Sequence, residues 1–397
     1  MLRILSLYEG FFAGGARVLH SGVLAALQAR GGQSHSVLSM HRDMRRESLV
    51  QRMDSDASYQ VLRAAGVTVA ALRRGIGGTG RVAPLTAAAV ATAVRYASRA
   101  DVILSLKEQP LYLVNQHGFP RRPVIVCLHR SDPEHHPAAL ADLRVAVAEG
   151  RVVAGICCAE STRAAYQAAG VPGDLLHVIP NGVDLARFRP VPPRERTALR
   201  RSLGVPPKAK VVVFAARYDL MKNVPLFLRA ARAFLDADRA GHVLLCGAGM
   251  SRLNAQLCTD LEEYFADAPK LLRRVHLLGL RRDMETVYAA ADVVSLTSSF
   301  GEAAPLCLIE GAMCGAVPVS TDVGDCAGIV AGHGILTPSD GTAIAAAWTE
   351  AVERRAEYGP ALESCRERFS HTRMVDAYAA LIARTHEGLG LAAGVPG

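Results

Sequence analysis

The segment SFGEAAPLCLIEGAMCGAVPVS (residues 299–320) sets two carboxylates, Glu302 and Glu310, into an otherwise apolar run. Pro305 suits a helix start, because its missing N–H is one that goes unpaired there anyway. Gly315 suits the stop. A helix between them is apolar all round and is predicted to be buried. The i±3 and i±4 neighbours of Glu310 are Leu306, Cys307, Met313 and Cys314, so no local cation neutralises it. A buried carboxylate without a partner is costly or shifts its pKa, and ligand hydroxyls would supply the missing hydrogen bonds. Glu302 precedes the helix, in the loop after the run DVVSLTS. Free N–H groups around Ala304 and Leu306 favour an anion or sugar oxygens there, although an acidic residue at that place also suits the helix dipole.

Two cations stand in a comparable place. Arg217 ends the run KVVVFAAR, and Lys222 lies in the turn before the next helical segment. A guanidinium offers phosphate a two-pronged fork and an ammonium offers a point charge; surface ion pairs are the plainer alternative. His129 ends the run PVIVCLH, and Gly14 and Gly15 follow the first predicted strand, where backbone can approach a phosphate closely. Lys107, Arg130 and Asp132 also follow strand ends in the first half.

The elements that position these groups follow from periodicity. Short β-branched runs at 3–8, 34–40, 67–72, 101–106, 123–129, 152–159 and 175–180 alternate with alanine-rich helical segments. The pattern restarts at 210–217, 242–249, 275–279, 292–298 and 316–321. Such alternation predicts parallel strands with crossover helices. The proline- and charge-rich stretch at 180–210 reads as a boundary. Two doubly wound α/β domains result, whose ligands bind beyond the carboxyl ends of the strands, in a cleft where the two face each other.

Composition narrows the class. The chain has 397 residues, half of them hydrophobic and 21% charged, as expected of a globular protein. No apolar run spans a bilayer; VAPLTAAAVATAV (82–94) reads as a buried or amphipathic helix. Glu9 arrives too early for a signal peptide, so a cytoplasmic protein is expected. Nine cysteines without a C-x-x-C pair argue against disulfides and zinc. The formal charge of +8 lies mostly in the first half, where HRDMRR (41–46) and the arginine pairs at 73–74 and 121–122 contribute. An anionic substrate, or peripheral contact with the cytoplasmic face of a membrane, would use it. Nothing resembles a nucleic-acid module, and aromatics for stacking are few. The D-x-D pairs Asp54–Asp56 and Asp236–Asp238 read as solvated surface. The glycine-rich tail at 387–397 reads as frayed.

In order along the chain, GGAR (14–17), CLHRSD (127–132), VIPNGVDLARFRP (178–190), AARYDLMKNVPLFLRA (215–230), CGAGM (246–250), VHLLGLRRDMETVYAAADVVSLTSS (275–299) and the E-x7-E segment resemble the retaining glycosyltransferases of family four. The resemblance implies a GT-B fold: an N-terminal Rossmann-like acceptor domain (1–184), a donor domain (185–370) and a C-terminal helix (about 371–390) packing back on the first. It implies a nucleotide-diphosphate sugar donor, UDP- or GDP-linked, and no metal or cofactor. Transfer would retain anomeric configuration by front-face attack. Arg217 and Lys222 would hold the diphosphate, Glu302 and His129 the donor sugar, and Glu310 the ribose. Gly14, Gly15, Gly247, Gly249, Leu280, Arg281, Ala303, Ala304, Pro305 and Leu306 would complete the donor site. A small-molecule, glycan or lipid-linked acceptor would meet Lys107, Arg130 and Asp132. The chain departs from the family pattern at Ala215-Ala216, where a glycine usually precedes the arginine. It departs again at Asn223, where glycine is common, and at Ala303-Ala304, in place of Gly-Phe, which leaves the donor sugar open. Other GT-B chemistries (epimerase, phosphorylase) and a non-catalytic nucleotide-sugar sensor are the alternatives.

Overall fold

The computed structural model describes residues 1–12, 14–46, 49–78 and 85–392. The chain forms two compact units, Met1–Asn181 with Thr372–Gly397, and Gly182–His371.

The first unit is built on eight strands: β1 (Leu2–Tyr8), β2 (Gln33–Arg46), β3 (Leu49–Arg52), β4 (Thr68–Gly78), β5 (Val102–Leu106), β6 (Val124–Leu128), β7 (Val152–Cys157) and β8 (Leu176–Val178). Their order is β3-β2-β1-β5-β6-β7-β8, with β4 also on β2. All pairings are parallel except β2 with β3. Strands β5 and β6 are buried at every residue. This is why they read as unbroken apolar runs, covered by helices on both faces.

The second unit repeats the plan with β9 (Lys210–Ala215), β10 (Gly241–Cys246), β11 (Val275–Gly279), β12 (Val293–Leu296), β13 (Val317–Thr321) and β14 (Ile335–Thr337). Their order is β11-β10-β9-β12-β13-β14, all parallel. Its core centres on Trp348, whose ring packs on Phe227 and Phe234 and whose indole N–H donates to Ser295 at 2.9 Å.

Every predicted strand is present, but β3 and β14 and the extension of β2 to Arg46 were not expected. The three-residue β14 is too short to show a period. Apart from the buried Met44, His41–Arg46 is polar, which hides the strand, and the segment joins the sheet through its ladder with β4 and β3. The apolar segment at 82–94 forms the helix Ala87–Ser98, and residues 82–84 lie outside the described residues. The helix His371–Ala392 continues through most of the tail expected to fray; residues 393–397 lie outside the described residues.

The stretch at 180–210 is not a free linker. The units divide at Asn181/Gly182, because Val183 is tied to the far end of the second unit: its N–H donates to Phe369 at 2.8 Å and its carbonyl accepts from His371 at 2.9 Å. The same stretch holds the helix Pro193–Ser202. From it Arg196 and Arg200 grip the two oxygens of Asp292 at 2.6 and 2.7 Å, while the Val211 N–H donates to Asp292 Oδ2 at 2.8 Å. Asp292 is 7% exposed, so its charge depends on these partners. Asp292→Ala strands the buried Arg200 and the half-buried Arg196 and is expected to lower the unfolding free energy by about 3–5 kcal/mol in urea denaturation. A loss below about 1 kcal/mol, the value of a surface pair, would show that the clasp does not hold the helix.

Candidate functional site

In the second unit the predicted donor residues all lie just past the carboxyl ends of adjacent strands. Arg217 follows β9, Gly247 and Gly249 follow β10, Leu280 and Arg281 follow β11, and Glu302 lies in the loop after β12. Crossover helices force this arrangement, since each parallel strand leaves the sheet at the same edge.

The geometry there is specific. Lys222 Nζ is paired with Glu302 Oε1, and Ser298 Oγ donates to the same oxygen. The Glu302 and Lys222 side chains are 7% and 13% exposed. The turn that presents Lys222 is fixed from several sides. Asp219 accepts from the Met221 N–H at 2.9 Å and binds Arg217 at 2.8 Å. The Ser299 N–H donates to Met221 O at 2.9 Å, and Thr297 Oγ1 donates to Lys222 O at 3.1 Å. Asn223, next in the chain, has φ 50°, accepts from Leu226 N–H at 3.2 Å and donates to Ser299 Oγ at 2.9 Å. Asparagine is among the few non-glycine residues at ease in this left-handed region, which explains why it stands where glycine is common. Gly247 and Gly324 are needed on other grounds. A Cβ on Gly247 would lie 2.1 Å from Ala216 O and one on Gly324 2.0 Å from Glu302 O, so both loops press on the backbone that carries Arg217 and Glu302.

The helix after Glu302 spans Leu306–Met313. Pro305 is its N-cap in extended conformation, one position earlier than a helix-starting proline, and Gly315 follows its end with φ 81°. Ala303 and Pro305 are buried. Within the helix only Leu306 and Glu310 retain solvent access, and at i, i+4 they share one face. Burial pushes the Glu310 carboxyl up to about 7, against the hydrogen bond from Tyr288 and the charge of Arg187, which favour the anion. Tyr288 was not visible as a partner in the sequence, being distant along the chain. Ser298 and Asp219 were likewise missed. Arg281 is held by Asp283 at 2.5 Å, and Leu280 is 71% exposed.

In the first unit Gly14 caps the helix Gly15–Arg30 with extended backbone, and a Cβ there would meet nothing nearer than Arg17 at 4.0 Å. The fold therefore does not itself demand glycine at 14. Arg17 lies over the Phe12 ring, 3.5 Å from its centroid. His129 follows β6 directly; burial, with Lys107 nearby, pulls it down to about 3, so it is a neutral imidazole. Its Nε2 has no hydrogen-bond partner among the described residues. Lys107 follows β5 with φ 68°, and burial beside Arg130 lowers it to about 7. Arg130 Nε lies 3.9 Å from Glu108 Oε2, and Asp132 pairs with His135 at 3.3 Å.

The D-x-D carboxylates have local employment. Asp54 pairs with Arg42, Asp56 caps the helix Ala57–Ala64, Asp236 binds Arg232 at 2.6 Å and Asp238 binds Lys210 at 2.6 Å. Among the described residues no cluster of three or more His, Cys, Asp or Glu is placed to hold a metal. All nine cysteines are free thiols, seven of them buried. No helix among the described residues is long and apolar enough to cross a membrane.

Two Rossmann-like parallel-sheet units define the GT-B class of fold. Solved structures agree: Anabaena HepE in complex with UDP-glucose superposes with a TM-score of 0.76 at 22% identity, covering 96% of this chain and 100% of that one. Sucrose-phosphate synthase from Thermosynechococcus elongatus gives 0.73 at 17% identity, covering 98% and 100%. Residues 13–187 match the family model Glycosyltransferase Family 4, and residues 209–354 match Glycosyl transferases group 1. The chain belongs to glycosyltransferase family four. Among its relatives, a D-inositol 3-phosphate glycosyltransferase from Nocardia farcinica is 32% identical over 48% of this chain and 42% of its own length. A second, from Catenulispora acidiphila, is 30% identical over 55% and 52%. The chain thus spans about half the length of these curated relatives, or less.

The raised Glu310 sets a pH dependence. Between the ordinary value of 4.5 and about 7 the folded protein keeps a proton that the unfolded chain has lost. Stability contributed by the neutral acid is therefore complete at pH 4.5 and declines as pH rises through 7. Glu310→Gln is expected to match the wild type near pH 4.5 and to exceed it by about 1–3 kcal/mol at pH 8, measured by urea unfolding. Parallel pH profiles for the two proteins would contradict the assignment.

Proposed function

We propose that the protein is a retaining glycosyltransferase that moves a sugar from a nucleotide-diphosphate donor to a hydroxyl acceptor. The observation that carries this reading is the Lys222–Glu302–Ser298 cluster beyond β12, with Arg217 beyond β9. A family-four chain with fixed cations at this edge has what a departing diphosphate requires. An ammonium has three N–H donors. One is engaged by Glu302, and two remain for phosphate oxygens. The pairing of Lys222 with Glu302 supports a joint role for them, one on each side of the bond to be broken.

In this proposal the acceptor oxygen bonds to the anomeric carbon on the face the diphosphate leaves. The bond to the diphosphate oxygen breaks with its electron pair, and the acceptor proton passes to that oxygen. Arg217 and Lys222 stabilise the growing negative charge, which in preorganised sites is commonly the largest catalytic contribution. Glu302 holds donor-sugar hydroxyls, with neutral His129 as a further sugar partner, and Glu310 takes the ribose hydroxyls. The route uses no metal, and both D-x-D pairs are engaged elsewhere. The free thiols fit a cytoplasmic protein. Because a structural neighbour is described in complex with UDP-glucose, UDP-sugars are the first donors to try.

Lys222→Ala and Glu302→Ala are each expected to lower transfer by about 10²–10³-fold with far-UV circular dichroism retained, while loss of the buried pair lowers the melting temperature. The assay follows radiolabelled sugar from UDP- and GDP-linked donors into product. Wild-type turnover in both variants would refute the site. Conversion of the donor in the absence of any acceptor would identify an epimerase instead, and donor binding without hydrolysis or transfer a sensor.

A further inference from the structure

The end of β5 in the first unit carries a group with no place in the scheme so far. Glu108 is 2% exposed, yet its Oε2 has no hydrogen-bond partner among the described residues. The cation facing it, Arg130, presents an Nε that is also without one, 3.9 Å away. That separation is too long for a hydrogen bond between them. Two buried, complementary atoms left apart are costly unless a third group joins them.

The backbone holds the pair in this arrangement. Lys107 adopts the left-handed conformation, φ 68°, which is strained for a side-chain-bearing residue and is found where a site requires it. The kink is braced on both sides: the Lys107 N–H donates to Cys127 O at 3.0 Å and its carbonyl accepts from Ser105 Oγ at 2.8 Å. Immediately past it, the Glu108 carbonyl accepts from Leu111 N–H at 2.9 Å. The bend thus turns Glu108 and Gln109 out of the strand line and fixes them there. Gln109 Oε1 and, beyond β6, Asp132 Oδ1 are likewise buried without a partner among the described residues.

The chemistry of these atoms selects a ligand. A carboxylate only accepts hydrogen bonds and a guanidinium only donates them, whereas a hydroxyl does both. A phosphate only accepts, and it would meet the Glu108 and Asp132 carboxylates as a like charge. We propose that Glu108 and Arg130 grip one hydroxyl of a neutral polyol acceptor, such as a sugar or cyclitol without a phosphate, with Gln109 and Asp132 receiving neighbouring hydroxyls. Glu108 is thereby an acceptor-binding residue that determines specificity. This rests on the glycosyltransferase reading and adds the acceptor class to it. It also separates this chain from its relatives, whose names specify a phosphorylated inositol.

The test compares wild type, Glu108→Gln and Glu108→Ala with labelled UDP-glucose and GDP-mannose. Neutral acceptors (myo-inositol, glucose, maltose) are set against glucose 6-phosphate and inositol 3-phosphate, and donor hydrolysis without acceptor is followed in parallel. Wild type is expected to favour neutral acceptors. Both variants are expected to raise the acceptor KM about tenfold or more, the loss of one hydrogen bond to a charged group, with donor hydrolysis within about twofold of wild type on the same scale. Glu108→Gln keeps the shape of the side chain and an unchanged melting temperature, which separates lost recognition from lost folding. An unchanged acceptor KM in Glu108→Gln, a wild-type preference for the phosphorylated acceptors, or donor hydrolysis that no neutral polyol diverts into product would each overturn the inference while leaving the donor site standing. Wild type that neither binds nor turns over any nucleotide sugar would instead bring down the glycosyltransferase reading, and this inference with it.

Discussion

Glu302 is a carboxylate almost wholly removed from water, and its neutralisation organises the carboxyl edge of the second sheet. A buried charge is tolerated only with a charge partner and hydrogen bonds. Lys222 supplies the first and Ser298 the second. Lys222 in turn must be held, and the Asp219 cap, the left-handed Asn223 and the Thr297 hydroxyl all fix its turn. Gly324 lets the loop after β13 lie against the Glu302 carbonyl, and Asp325 N–H donates to Ala303 O at 2.8 Å. Loops from three neighbouring strands are therefore set by one ion pair. A site that needs fixed charge at the moment of bond breaking benefits from such over-determination, since little reorganisation remains to be done.

The strands and their parallel arrangement could be anticipated because buried parallel strands are continuous apolar runs, and the alternation with helices shows through. The candidate cations and carboxylates were legible for a related reason: strand ends are where the apolar pattern breaks, so polar residues stand out there. Their partners were not legible. Ser298 lies at the end of an apolar run and reads as a small filler. Tyr288 reads as a core aromatic of the helix Met284–Ala290. Arg196 and Arg200 belong to a stretch whose prolines and charges suggest solvent, yet both serve a buried aspartate. Long-range pairing leaves no local period, so a single sequence conceals it. Asn223 shows the converse. It looked like a departure from a glycine, and the backbone angle shows it meeting the same conformational demand.

The two units carry charged groups at the same architectural edge. In the second, Arg217, Lys222 and Arg281 are each paired with a carboxylate, those of Asp219, Glu302 and Asp283. In the first, the cations Arg17, Lys107 and Arg130 are interleaved with Glu9, Glu108 and Asp132, and the titration of Lys107 responds to several of them. A mixed set of this kind attracts no net charge strongly and discriminates by hydrogen-bond geometry.

The helix His371–Ala392 has a consequence for how the molecule is made. It completes the first unit, burying Met374, Val375, Tyr378, Leu381 and Ile382, yet it is translated only after the whole of the second unit. The second unit, contiguous from Gly182 to His371, has its whole sequence available earlier. The half that is translated first is therefore the half that is finished last, and its apolar docking face stays uncovered throughout synthesis of the other. Nascent chains stalled anywhere before residue 371 carry that face open, which is the period in which chaperones or aggregation compete for it.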